Sequence, residues 1–162
     1  MTLRSCLALA LVAACASAPQ VVEVENASSE GLGLTNGPDP EALADFDIPA
    51  GRCGMILWTK DGGRIAPIFR SVDTVEATMV IEGEEVSLLL ASQLGDQRFG
   101  MRSQQVFTPA DLAASQTVVE TKIEWGQGFP SGTYINSGSL KLTAADGWQR
   151  IMPVAGIAGC KA

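Results

Sequence analysis

The chain has no histidine. That removes Ser-His-Asp and Cys-His nucleophilic sites, imidazole acid–base chemistry and the commonest zinc ligand sets. It has no glycine-rich phosphate loop before a helix, no dinucleotide fingerprint and no Cys-x-x-Cys pair. Asp61 and Asp146 each precede a glycine, as turn residues do, without calcium-loop spacing. No Lys or Arg lies between Ala16 and Ala50, and no basic stripe of the kind nucleic acids need occurs elsewhere. No apolar run reaches the roughly 20 residues that span a bilayer, and no internal repeat is visible. These absences leave carboxylate-only hydrolysis as the one catalytic chemistry open, through two acids converging from different strands. Glu120 and Glu124 fall on the face opposite Val119 and Ile123, which places them in solvent. A non-enzymatic protein with no cofactor and no metal is expected.

What is present begins at the N-terminus. Arg4 is followed by an apolar run from Cys6 to Ala16, the layout of a secretory signal. Two cleavage readings compete. Ala14-Cys15-Ala16 offers small residues to an ordinary signal peptidase, with cleavage before Ser17. Alternatively, Val12-Ala13-Ala14-Cys15 resembles the lipobox of bacterial lipoproteins. The resemblance implies a diacylglycerol thioether on Cys15, removal of residues 1–14 and acylation of the new N-terminus. Each buried methylene contributes about 0.8 kcal/mol, so three acyl chains would anchor the protein to the membrane permanently. Ala16 stands where enterobacterial lipoproteins held at the inner membrane carry aspartate. By that resemblance the expected place is the outer membrane, facing the periplasm.

The cysteines are Cys6, Cys15, Cys53 and Cys160. If Cys6 leaves with the signal and Cys15 carries lipid, Cys53 and Cys160 remain to pair in an oxidising compartment. Their bridge closes a loop of about 107 residues, for which the chain-entropy model gives roughly 4.7 kcal/mol. That is comparable with the stability of a whole small domain, about 5–15 kcal/mol.

Charge divides the chain. Seven acids and no base lie between Ala16 and Ala50, whereas ten bases and eleven acids follow from Gly51 onward. Residues 15–50 therefore read as an acidic, flexible tether that holds the domain off anionic headgroups. Within it, Asp39-Pro40-Glu41 has helix-start chemistry, giving a helix to about Phe46, and Val21–Val24 could add an edge strand.

Residues 51–162 carry β signals. Cys53–Thr59 is an apolar run before the Lys60–Gly63 turn, and Arg64–Phe69 contains Pro67, which demotes it to an edge or bulge. Val75, Ala77, Met79 and Ile81 alternate onto one face, and the turn after them leads into Val86–Leu90, the clearest hairpin. Gln97–Phe107 reads as one polar strand, and Thr108–Asp111 as a second helix start. Val119, Thr121, Ile123 and Trp125 share a side. Tyr134–Ile135, Ser139–Thr143 and Trp148–Val154 complete about eight short strands. The predicted fold is mainly β, an antiparallel barrel or sandwich of about eight strands with one or two short helices.

The surface feature that stands out is the loop Gly126–Tyr134. Phe129 and Tyr134 flank a Pro-Ser-Gly turn, and aromatics on a glycine-rich loop are common interaction anchors; the competing reading is that they plug a barrel end. Trp58, Trp125 and Trp148 sit in strands and read as core. Ser131-Gly132-Thr133-Tyr134, a later glycine-containing turn and Cys160 near the terminus are similar in order to bacterial lipoproteins that inhibit c-type lysozyme. In that family a loop serine enters the enzyme's cleft, which makes Ser131 the carried-over position. Phe129-Pro130 replaces the family's second Ser-Ala, and its Phe-Trp strand is missing. The expectation is a lipid-anchored envelope protein with a binding or structural role and an unidentified protein or glycan partner, with a lysozyme-inhibitor-like module as the alternative.

Overall fold

The computed structural model describes residues 37–162, with positions 62 and 114 excepted. The signal, Cys6, Cys15 and the tether up to residue 36 lie outside the described residues. The described residues belong to one compact unit.

Nine strands follow one another: β1 (Pro40–Glu41), β2 (Cys53–Asp61), β3 (Arg64–Val72), β4 (Glu76–Ile81), β5 (Glu84–Arg98), β6 (Met101–Pro109), β7 (Val118–Phe129), β8 (Gly132–Thr143) and β9 (Gln149–Cys160). From β2 to β9 each strand pairs antiparallel with the next, and β9 pairs with β2. The result is a closed, eight-stranded up-and-down barrel with β1 added to β4. Closure removes the sheet edges that would otherwise pair with other chains.

Alternation along the strands explains the closure. Ala77, Met79 and Ile81 on β4 and Val119, Thr121 and Ile123 on β7 are buried, while their neighbours face outward. Val75, the first of the predicted series, lies in the preceding turn and is exposed. The inward residues, among them Met55, Leu57, Phe69, Met101, Phe107, Leu140 and Leu142, form one packed cluster, and the rings of Phe69 and Phe107 meet edge to face at 5.3 Å. The interior is thus a core. Gln105 and Thr121 are exceptions, opposite each other on β6 and β7 and buried, with side-chain polar atoms that have no hydrogen-bond partner.

The β4–β5 hairpin turns through Glu82 and Gly83, both at positive φ (54° and 82°), the two-residue geometry that suits right-handed strand twist. The predicted strand Gln97–Phe107 is instead broken at Phe99-Gly100, again both at positive φ. β5 therefore runs on to Arg98, and β6 starts afresh at Met101.

The predicted helices are not formed among the described residues. Pro40–Glu41 is a strand because Ile81 and Val80 of β4 offer ladder partners, and the Glu82 N–H donates to the Asp39 carbonyl. At the second helix start, Pro109 stays in β6 opposite Leu88, and the Ala110 N–H donates to the Ser87 carbonyl. The capping chemistry of Asp111 serves a single turn, its carboxylate accepting from the Ala113 N–H at 2.8 Å.

Gly37–Ala50, assigned from sequence to the flexible tether, packs on the barrel. The β3–β4 ladder covers only Arg70–Val72 against Glu76–Thr78. Beyond it the strands splay, β1 occupies the gap on the β4 side, and the Leu43 N–H donates to the Pro67 carbonyl of β3. Leu43 and Ile48 are buried. Residues 39–50 form a strap across the wall.

Candidate functional site

Cys53 and Cys160 are bonded and lie directly opposite each other on β2 and β9. Their amides are engaged elsewhere. The Cys53 N–H donates to the Asp73 carboxylate and the Cys160 N–H to the Ser131 carbonyl, leaving the two as a non-hydrogen-bonded pair, whose side chains approach most closely. The bridge locks the closing seam of the barrel on the same face as Met55 and Ala158, the interior face.

Outside that seam lies a groove. Because Met55, Leu57 and Ala158 point inward, Gly54, Ile56, Ile157 and Gly159 face out. The register aligns Gly54, Gly159 and Gly132 in one row, and Ile56, Ile157 and Tyr134 in the next. The glycine row has no side chains, and neighbours lie directly on it. A Cβ on Gly54 would collide with Ile48, and one on Gly132 would collide with the Phe129 ring. Ile48 and Phe129 become two walls with Gly159 as floor between them. The groove, about 360 Å³, is lined chiefly by Ile48, Ile56, Ile157 and Phe129, with Ser131 and Lys161 at its rim.

The three candidate residues of the Gly126–Tyr134 segment meet here. The segment is the end of a hairpin: β7 runs to Phe129, Pro130 and Ser131 turn, and β8 starts at Gly132. Phe129 and Ser131 line the groove, and the Phe129 and Tyr134 rings are 5.1 Å apart. Tyr134 is 51% exposed and faces outward, so the aromatic pair does not plug the barrel end. Thr133, fully buried, holds the hairpin to the core. Its Oγ1 accepts from Arg98 at 2.9 Å, and Arg98 also donates to the Gly126 carbonyl at 3.1 Å while lying 6.0 Å from the Trp125 ring.

The strap supplies the side of the site that the sequence reading missed. Asp47 accepts from Lys161 at 2.5 Å. That hydrogen bond holds the Asp47 carboxyl below its ordinary value, against desolvation, with help from the Lys161 charge, the Ile48 N–H and the Arg70 charge. The one signal available was the symmetry of Cys53-Gly54 and Gly159-Cys160, which places a glycine beside each half-cystine.

The carboxylates that could have carried hydrolysis are separately engaged. Glu120 pairs with Lys141 at 2.8 Å, and Glu124 accepts from the Ser137 hydroxyl at 2.7 Å. Among the described residues no group of three or more Asp, Glu or Cys is placed to hold a metal. A scan against protein-family models, a search of curated proteins and a search of solved structures each found no match to this chain.

Proposed function

We propose that this chain is a non-enzymatic, lipid-anchored protein of the cell envelope that binds a partner through the groove between Ile48 and Phe129. The observation that carries the binding site is the glycine-floored apolar depression with Phe129, Ser131 and exposed Tyr134 grouped at its edge. Solvent-facing apolar surface of this kind is where partners gain binding energy. The core-filled barrel interior supports an external site over a ligand enclosed by the strands. Export and anchoring rest on Val12-Ala13-Ala14-Cys15 and on the Cys53–Cys160 pair, a bond typical of oxidising compartments. The outer membrane, periplasmic face, is the proposed location.

The anchor is tested by labelling with palmitate. Incorporation is expected in the wild type and lost in Cys15→Ser; labelling that persists in that variant refutes the anchor. The groove is tested by capture from native envelope with the lipidated protein. Partners held by the wild type and released by Phe129→Ala with Tyr134→Ala support the site, and an unchanged set of partners rejects it.

A second reading, inhibition of c-type lysozyme, is favoured by one observation: Ser131 is exposed on a two-residue turn beside the aromatic pair. A turbidity assay decides it. Clearance of cell walls undiminished at micromolar protein ends that reading.

A further inference from the structure

We propose that the second part of the strap, residues 43–50, is an electrostatically held gate: seated, it supplies one wall of the groove, and lifted, it dismantles that wall. The proposal rests on the groove being the binding site and adds the regulation of that site. Two groove-lining residues, Asp47 and Ile48, belong to the strap and not to the barrel wall.

The way the strap is attached makes it separable. At one end the Glu82 N–H donates to the Asp39 carbonyl and the Leu43 N–H to Pro67; at the other the Gly51 N–H donates to Lys161. Between Leu43 and Gly51, among the described residues, no backbone hydrogen bond ties the strap to a strand. Side chains do the holding there. Asp45 pairs with Arg70 at 3.2 Å, Asp47 with Lys161 at 2.5 Å, and Asp39 with Arg150 nearer the start. Every charged residue of the strap is acidic, and its partners on β3, on β9 and just after β9 are basic, so attraction is concentrated on this one strip. Exposed pairs of this kind contribute little individually and are screened by salt.

Arg70 holds two strap residues at once. Its Nη1 donates to the Asp45 carboxylate at 3.2 Å and to the Asp47 carbonyl at 3.3 Å, yet its Nε is buried with no partner. The apolar contacts resisting release are those of buried Leu43 and of Ile48, which lies on Gly54.

Hydrogen exchange on the full-length protein, read by mass spectrometry, tests the gate without any ligand. Amides of Leu43 and Gly51, the two that donate to Pro67 and Lys161, should exchange about tenfold faster in roughly 1 M than in roughly 0.01 M sodium chloride, where the Debye length changes from about 3 to 30 Å. The same acceleration is expected at low salt in Asp45→Asn with Asp47→Asn, with β2 and β9 unchanged. Equal exchange at both salts and in both proteins overturns the proposal. Coupling to the groove is read with Nile red, a neutral apolar dye, whose fluorescence should fall on strap release and in Ile48→Ala. Dye signal unmoved by strap release overturns the gate. Dye signal unmoved by Phe129→Ala, with a salt-sensitive strap, rejects the groove as the binding site instead.

Discussion

At Gly159 the chain tolerates no side chain. A methyl group there would collide with the Ser131 carbonyl and lie 2.8 Å from the Gly132 Cα. Both obstacles are backbone, so the neighbours cannot swing aside. Gly159→Ala should destabilise by about 1–3 kcal/mol, seen as a lower urea midpoint, and should shift the Phe129–Tyr134 hairpin. Gln105 behaves oppositely. Its amide is buried with neither polar atom partnered, a cost of about 1–3 kcal/mol for a group of this kind. Gln105→Met, close in volume and without hydrogen-bonding groups, should raise the midpoint; a fall would mean that the amide finds partners in solution. Sequence alternation identified the inward side of β7, including Thr121, but Gln105 sat in a stretch read as one polar strand. With the Phe99-Gly100 turn hidden inside that stretch, its inward parity could not be assigned.

Among the elements, the strap departs furthest from its sequence reading. Asp39-Pro40-Glu41 carries good helix-start residues, but a helix of seven residues is marginal alone. The ladder on β4 and the cations on β3 and β9 offered more. The acids that suggested a solvated spacer are the groups that seat it. Acid should loosen this element first. The Lys161 hydrogen bond keeps Asp47 below its ordinary pKa, so the carboxylate favours the folded state. Its contribution is fully present above the unfolded value of about 3.9 and is lost as pH falls through the lowered folded value. The difference in stability between wild type and Asp47→Asn should therefore be flat near neutrality and shrink below about pH 4. A difference that grows on acidification would contradict the pairing. The hairpins were more legible, because Val86–Leu90 after the alternating β4 needs only local turn chemistry.

For the molecule as a whole, the disulfide and the β2–β9 ladder act on the same seam. Cys53 and Cys160 are 107 residues apart, so the bridge constrains the unfolded chain strongly. Replacing both by Ala should cost up to about 4.7 kcal/mol in the chain-entropy account, measured by urea unfolding with the native barrel retained. It should also slow folding, because the closing ladder joins the two strands most distant in sequence. A loss below about 1 kcal/mol would mean that the reduced chain already holds its ends together.

By itself the sequence determined the strand-rich character, the alternation that sorts core from surface on β4 and β7, the Glu82-Gly83 turn and the pairing of the only two cysteines in the domain. These depend on neighbours a few residues apart or on simple elimination. Only the tertiary structure decided that the sheet closes as a barrel, that Gly54, Gly159 and Gly132 line up in one row, and that residues 39–50 lie across the β3–β4 gap. Each depends on register between segments far apart in the chain. Such register is set by which side chains can share one core and one surface row, and no local pattern records it.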